Sequence, residues 1–161
     1  MSEEAAAVIA TATKLGLTVG CAESLTGGLV AAEIVSVPGA SAVFRGSIVA
    51  YDSMLKNDLL GVDASTLAST GAVTAEVASA MAEGALARLG VDVAVATTGV
   101  AGPDPDPVSG EAPGAVFIAV AGGGLGTLVR EMSLEGDRDE IRQRATRAAL
   151  QALLDGLSTR E

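Results

Sequence analysis

Ser24 and Lys56 are the residues in this chain best suited to catalytic chemistry together. A serine needs a base before it can act as a nucleophile, and the chain contains no histidine, so imidazole-dependent triads, dyads and metal sites are excluded. Lysine is the next choice, because it can lose its proton when it is desolvated, whereas arginine effectively cannot. The chain has two lysines, and Lys56 follows a predicted buried strand, whereas Lys14 lies on an exposed-looking helix.

Each of these residues also has an ordinary structural interpretation. Ser24 or Thr26 can simply cap the helix that follows, since serine and threonine are common caps. Lys56 can be one more surface lysine. Tyr51, the single tyrosine, either shares a proton with the pair or lies at the rim with its hydroxyl in water. Residue types and spacing leave these alternatives open.

Glycine-rich segments next to predicted strands are candidates for ligand binding. Residues 26–28 (Thr-Gly-Gly) open a helix, whose free N–H groups suit an oxyanion or a phosphate. Residues 99–103 (Gly-Val-Ala-Gly-Pro) follow a buried strand but match neither a Walker motif nor a dinucleotide fingerprint. Asp104 and Asp106 alternate with prolines, which predicts a stiff, solvated loop better than a metal site. We expect Cys21, at a strand end near Ser24, to be buried and inert.

Helical and strand patterns alternate along the chain and predict the scaffold that must hold these residues. We expect helices over 2–15, 29–35, 52–60, 74–89 and 137–157, and strands over 17–21, 43–51, 91–98, 115–121 and 127–134. Gly46 is a candidate bulge, and Gly122-Gly123-Gly124 is expected to turn a late hairpin. The pattern predicts a three-layer α/β domain, with a mainly parallel sheet and one antiparallel strand, over residues 1–161. In such sheets ligands bind at the carboxyl ends of the strands, which the loops 22–28, 51–56 and 99–113 follow.

Composition narrows the class of protein. The 161 residues carry 10 basic and 20 acidic side chains, and a net charge of -10 argues against nucleic acid and anionic membranes as partners. The acidic N-terminus, the lack of a long apolar run and the single cysteine predict a cytoplasmic protein. A homo-oligomer is plausible for a small acidic domain, although the sequence does not indicate its order.

Several motifs, taken together, resemble the CinA C-terminal domain family from about residue 5 to residue 157. They occur in the family's order at 22–28 (Ala-Glu-Ser-Leu-Thr-Gly-Gly), 46–51 followed by Lys56, 71–74, 98–103, 113–114, and 136–138 with Arg142. The chain departs from the family pattern where Ala112 replaces the usual lysine before Pro-Gly, a loss of one anion contact, and segment 104–112 is individual to this chain.

The resemblance implies a fold, an activity and a set of site residues. The fold is a three-layer α/β/α sandwich with a five-stranded mixed sheet, mostly parallel with one antiparallel strand. Stand-alone members of the family hydrolyse the carboxamide of nicotinamide mononucleotide (NMN) to nicotinic acid mononucleotide and ammonia, with neither cofactor nor metal. By this resemblance the catalytic residues are Ser24, Lys56 and Tyr51. The expected substrate-binding residues are Thr26, Gly27, Gly28, Thr98, Gly99, Ala101, Gly102 and Arg142.

The expected mechanism places neutral Lys56 as the base for Ser24, with Tyr51 assisting proton transfer. Backbone N–H groups of residues 26–28 hold the oxyanion, and the 99–102 loop holds the phosphate with Arg142 or Arg138; the two loops could exchange these roles. Two alternatives remain at this point. The domain could be a catalytically silent ligand-binding or partner domain, or it could be an amidase acting on a related amide.

Overall fold

The computed structural model describes residues 2–122, 124 and 126–159. Within them, helices cover both faces of one five-stranded sheet, which confirms the predicted three-layer α/β/α fold. In chain order the elements are α1 (Glu3–Leu15), β1 (Val19–Glu23), α2 (Leu29–Val35), β2 (Phe44–Val49), α3 (Ser53–Leu60), α4 (Ala64–Thr70), α5 (Ala75–Leu89), β3 (Val93–Gly99), β4 (Ala115–Gly122), β5 (Thr127–Ser133) and α6 (Arg138–Ser158). None of the described helices is long and apolar enough to cross a membrane.

The strand order is β2-β1-β3-β4-β5. Strand β1 pairs in parallel with β2 and β3, whereas β4 is antiparallel to both β3 and β5. Four strands therefore run in one direction and β4 runs against them, as predicted. The late hairpin is also present, but its expected turn includes Gly123, which lies outside the described residues.

Local capping explains where the predicted helices begin and end. The Ser2 side chain accepts a hydrogen bond from the Ala5 N–H at the start of α1, and the Thr74 hydroxyl accepts one from the Val77 N–H at the start of α5. Asp137 caps α6 in a complete capping box with Glu140. These contacts occupy N–H groups that a helix end otherwise leaves without partners.

Two elements differ from the sequence-based prediction. Strand β1 begins at Val19 rather than Leu17, because the Leu17 N–H bonds back to α1 at the Ala12 carbonyl oxygen. Cys21 therefore lies in the middle of the strand, where it is fully buried, and Glu23 is its last residue. Helix α4 was not anticipated: it has a single buried residue, so no apolar period marks it in the sequence.

The predicted bulge at Gly46 is confirmed, and it determines which residues of β2 pair with β1. Val19 pairs with Phe44 but Gly20 pairs with Gly46, so Arg45 has no opposite residue. Gly46 has φ +150°, which few residues other than glycine adopt. The shift brings Ser47 opposite Cys21, and its hydroxyl lies within reach of the Glu23 carboxylate.

The sheet separates two apolar cores. Successive residues of a strand point to opposite faces and so belong to one core or the other in turn. Val93 and Val95 of β3 pack toward α1, α2 and α6, whereas Ala94 and Ala96 pack toward α5. Alanines on that face let α5 approach the sheet closely. Helix α3 then packs on α5, and its buried residues are Lys56 and Leu60. The position of Lys56 thus depends on the contact between α3 and α5.

We predict that Gly84→Ala destabilises the protein, although alanine normally favours a helix over glycine by about 1 kcal/mol. A Cβ atom at position 84 would overlap the carbonyl oxygen of Leu60, which is backbone and must move as a unit. We expect the free energy of unfolding to fall by about 1–3 kcal/mol, measured by urea denaturation. Ser79→Ala on the same helix is the control, and a Gly84→Ala protein as stable as the control would contradict the predicted overlap.

Candidate active site

Loops following β1, β2 and β3 meet in a cleft of about 210 Å³ at the carboxyl edge of the sheet. Parallel strands explain this meeting, because their carboxyl ends lie on one edge. The residues lining the cleft come from all three loops and from the neighbouring segments: Ser24, Leu25, Tyr51, Ser53, Lys56, Ala72, Val73, Thr98, Gly99, Ala101, Asp106 and Arg138.

Ser24 is the first residue after β1 and is almost fully buried. Its N–H donates to the Thr97 carbonyl oxygen at 3.1 Å, which extends the β1–β3 pairing by one residue. Its carbonyl oxygen accepts from the Gly27 N–H at 3.0 Å, which closes a tight turn. Ser24 is therefore held by backbone contacts on both sides, at the floor of the cleft.

The amine of Lys56 lies 3.0 Å from the Ser24 hydroxyl oxygen. Nζ also contacts the carbonyl oxygens of Ala50 at 2.8 Å and Tyr51 at 3.0 Å. Lys56 is 1% exposed, and none of these three partners is a carboxylate. In the neutral amine, two N–H groups can donate to the carbonyls, which directs the lone pair at the Ser24 hydroxyl.

Burial lowers the pKa of Lys56 from 10.5 to about 8, because desolvation penalises the ammonium form. The carboxylates of Asp52 and Asp106 oppose this effect, since a nearby negative charge favours the ammonium. A lysine with a pKa near 8 is neutral in a useful fraction of molecules near neutral pH, which is the property a general base requires.

The structure corrects the oxyanion role expected for the N–H groups of Gly27 and Gly28. The carboxylate of Glu23 accepts the Gly28 N–H at 2.9 Å and the Thr26 hydroxyl at 2.8 Å. The Gly27 N–H is bonded to Ser24, as described above. The first N–H groups of α2 are therefore occupied by the chain itself. By contrast, the N–H groups of Leu25, next to the serine, and of Thr26 have no acceptor within the described part of the chain.

Arg142 was expected to bind substrate, but it does not line the cleft. Its guanidinium donates to the carbonyl oxygens of Leu25 at 3.0 Å and Thr26 at 3.3 Å, so it holds the serine turn from outside. Arg138, one helical turn earlier, does line the cleft. It donates to the Gly102 carbonyl oxygen at 2.6 Å and to the Tyr51 hydroxyl at 3.1 Å, both uncharged acceptors. Its positive charge thus faces the cleft.

Tyr51 contributes to the cleft in two ways. Its carbonyl oxygen contacts Lys56, and its side chain, 61% exposed, accepts a hydrogen bond from Arg138. Among the described residues, its hydroxyl makes no hydrogen bond to Ser24 or Lys56. This geometry agrees with a position at the rim, which the sequence left open as the alternative to a role in proton transfer.

Residues 98–102 form the opposite wall. The Thr98 hydroxyl donates to the Ala72 carbonyl oxygen at 2.7 Å, which ties β3 to the segment before α5. At Gly99 a side chain would collide with the backbone of Ala115, so glycine is needed there. Ala101 lines the cleft, and the Gly102 carbonyl oxygen holds Arg138, as noted above.

Asp106 is a cleft residue that sequence reasoning placed in a solvated loop. Its Oδ2 accepts from the Ser109 N–H and hydroxyl, each at 2.7 Å, and from the Val108 N–H at 3.2 Å. Desolvation raises the pKa of Asp106, but these hydrogen bonds and the charge of Lys56 together outweigh it and lower the pKa. The folded loop places this carboxylate in the same cleft as Lys56. No local sequence pattern indicates this placement.

These features define a class of protein: a three-layer α/β/α domain with a buried serine–lysine pair at the carboxyl edge of its sheet. The family model of the CinA C-terminal domain matches residues 2–157. The chain therefore belongs to the CinA C-terminal domain family.

Individual relatives agree with this membership. The chain is 46% identical over 147 residues to a CinA-like protein of Frankia casuarinae, covering 89% of this chain and 33% of that protein. A CinA-like protein of Mycolicibacterium gilvum is 44% identical over 147 residues, with 89% and 34% covered. The chain thus spans about a third of the length of these curated relatives.

Solved structures match nearly end to end. The competence/damage inducible protein CihA from Agrobacterium tumefaciens has a TM-score of 0.90 at 39% identity, covering 97% of this chain and 94% of that one. A CinA superfamily protein from Klebsiella pneumoniae has a TM-score of 0.92 at 30% identity, covering 98% and 97%.

We predict that Asp106→Asn shifts the pH dependence of Ser24 reactivity toward lower pH. Removing this carboxylate removes a charge that favours protonated Lys56, so the pKa of the lysine falls further below about 8. Asparagine keeps an acceptor oxygen for Ser109. The measurement is the rate at which a fluorophosphonate labels Ser24 as a function of pH. In the labelling reaction a bond forms between Ser24 Oγ and phosphorus, and fluoride leaves. A midpoint that stays in place or rises would contradict the predicted coupling.

Proposed function

We propose that this chain is an amidohydrolase that cleaves the carboxamide of NMN to nicotinic acid mononucleotide and ammonia, with Ser24 as nucleophile and Lys56 as base. The observation that carries the proposal is the 3.0 Å contact between the Lys56 amine and the Ser24 hydroxyl in a buried site. The choice of NMN rests on the family resemblance and on the presence of Arg138 in the same cleft.

In the first half-reaction, Lys56 takes the Ser24 proton while Oγ bonds to the amide carbon. The resulting ammonium of Lys56 then gives that proton to the amide nitrogen as the C–N bond breaks. Ammonia leaves and an acyl-enzyme remains. The carbonyls of Ala50 and Tyr51 support both states, because they accept from the neutral amine and from the ammonium alike.

The tetrahedral intermediate requires a donor for its oxyanion. We assign the Leu25 N–H to this role, since it follows the nucleophile directly, belongs to a residue lining the cleft, and has no acceptor among the described residues. A serine at a strand-to-turn junction uses the next residue's N–H in the same way in α/β-hydrolases. One such donor is worth about 3 kcal/mol in the transition state.

In the second half-reaction, water attacks the acyl carbon and gives a proton to Lys56. The bond between the acyl carbon and Ser24 Oγ breaks, Oγ recovers a proton from the lysine, and the acid is released. Lys56 thus ends each cycle in its starting protonation state. No step in this scheme needs the Tyr51 hydroxyl, although its contact with Arg138 orients the guanidinium.

Arg138 is the residue we assign to the substrate phosphate. Helix N-termini at this edge are capped by the chain's own side chains, with Glu23 on α2, Asp52 on α3 and Asp137 on α6. A phosphate therefore needs a side-chain cation, and a guanidinium can bind it through two N–H groups. The neighbouring wall of residues 99–102 supplies small residues that leave room for the nucleotide.

We predict that the wild-type protein releases ammonia from NMN and that both Ser24→Ala and Lys56→Ala abolish most of this activity. Loss of the nucleophile removes the covalent route, and loss of the base lowers kcat by about 10²- to 10⁴-fold. Ammonia release is measured by a coupled assay. Lys14→Ala, which removes the only other lysine, is the matched control and should keep wild-type kcat.

Three results would count against parts of this scheme. No ammonia from the wild-type protein would support the silent ligand-binding domain instead. Activity on other amides but not on NMN would support the related-amidase alternative. Full activity in Lys56→Ala would leave the amidase in place but exclude the lysine mechanism.

We further predict that Arg138→Gln weakens recognition of the phosphate rather than the chemistry. KM for NMN should rise about 10-fold or more, which corresponds to one charge-assisted contact. KM for nicotinamide riboside, which has the same ring and amide but no phosphate, should change less than 2-fold. Steady-state kinetics on both substrates provide the test, and an equal rise for both would contradict the assignment of Arg138 to the phosphate.

A further inference from the structure

Glu23 is a buried carboxylate with no part in the scheme above. Its side chain is 0% exposed, yet its hydrogen-bond partners include no cation. Burying a carboxylate is costly unless several donors replace its water, so its surroundings must compensate. Its position directly before Ser24 makes this unusual side chain relevant to the nucleophile.

Five donors surround the carboxylate and fill both of its oxygens. Oε2 accepts from the Thr26 hydroxyl at 2.8 Å and from the N–H groups of Gly28 at 2.9 Å and Val30 at 3.1 Å. Oε1 accepts from the Ala31 N–H at 3.0 Å and from the Ser47 hydroxyl at 2.9 Å. Helix α2 thus receives its N-terminal cap from the end of the preceding strand, with no side-chain cap from its own Gly28.

These contacts enclose the serine turn. Glu23 precedes Ser24, and the donors on Thr26 and Gly28 follow it, so the chain from 23 to 28 closes on itself around the nucleophile. The Thr26 hydroxyl also contacts the Thr97 hydroxyl at 2.9 Å, which connects the closed turn to β3. On the other side, the Glu23 carbonyl oxygen accepts the N–H of Ala50, whose own carbonyl oxygen holds Lys56.

We propose that Glu23 is a positioning residue for catalysis: its carboxylate closes the 23–28 turn onto α2 and β2 and thereby holds the Ser24 hydroxyl in line with the Lys56 amine. This inference rests on the proposed role of Ser24 as nucleophile. It goes beyond that role, because it assigns a catalytic consequence to a side chain that touches neither the substrate nor the reacting atoms.

The donor pattern makes Glu23→Gln a sharp test. Each carboxylate oxygen receives at least one backbone N–H, so the amide NH₂ of glutamine must face a donor whichever way it is turned. The turn must then shift, and a displacement of about 1 Å at a nucleophile costs on the order of 10²-fold in rate. A role in folding alone would instead lower the melting temperature and leave the reactivity of folded molecules unchanged.

The experiment measures the rate of Ser24 labelling by a fluorophosphonate as a function of pH, with no dependence on the identity of the natural substrate. For folded Glu23→Gln, checked by circular dichroism and a cooperative melt, we expect the high-pH plateau rate to fall about 10- to 100-fold. The midpoint should stay in place, because Asp52 and Asp106 are the carboxylates that act on Lys56. Glu33→Gln, the same chemical change on α2 at a carboxylate that contacts Ser2, is the matched control and should label at the wild-type rate.

Glu23→Asp keeps the buried charge but is one methylene shorter, and it serves where Glu23→Gln fails to fold. A plateau lowered at least 10-fold in folded Glu23→Gln, or in Glu23→Asp where Glu23→Gln does not fold, supports the inference. Labelling at the wild-type plateau in that same variant overturns it while leaving Ser24 as the nucleophile. No labelling of the wild-type protein, under conditions that label a control serine hydrolase, overturns the nucleophile assignment and this inference together.

Discussion

A lysine amine buried without a carboxylate partner is the constraint on which the site depends. Lys56 can be buried at 1% exposure only because fixed oxygen atoms replace its water: two carbonyls from the end of β2 and the hydroxyl of Ser24. Those oxygens are fixed in turn by the sheet, since Ala50 bonds to Glu23 and Ser24 to Thr97. The same desolvation that makes the lysine costly lowers its pKa and makes it a usable base.

The acidic side chains around the cleft are likewise held by hydrogen-bond partners from the chain itself. The protein carries a net charge of -10, yet acidic side chains at the carboxyl edge are engaged by backbone N–H groups: Glu23 by α2, Asp52 by α3 and Asp137 by α6. Each carboxylate stabilises a helix start, where the helix dipole favours negative charge. Because these positions are occupied, Arg138 rather than a helix end is left to attract the phosphate of the proposed substrate.

Two of the arginines of α6, Arg138 and Arg142, illustrate how one helical turn separates a structural role from a proposed binding role. Arg138 and Arg142 both belong to a segment that carries the family resemblance, and they lie on neighbouring turns of one helix face. Arg142 reaches the carbonyls behind the serine turn, whereas Arg138 reaches the wall of the cleft. An arginine at this spacing can contact either a ligand or the protein's own backbone. Only the direction of the side chain in the folded structure distinguishes the two roles.

The sequence by itself determined the alternation of helices and strands and the bulge at Gly46, because these follow from local periodicity and backbone preference. It also excluded an imidazole base for the serine, since histidine is absent, and made lysine the next choice. The tertiary structure alone decided the rest. Helix α4 has too little apolar pattern to be recognised, and the return of Asp106 over Lys56 depends on a folded loop. That the N–H groups of α2 hold Glu23, and not a ligand, depends on partners that the chain brings together from β1 and β2 only on folding.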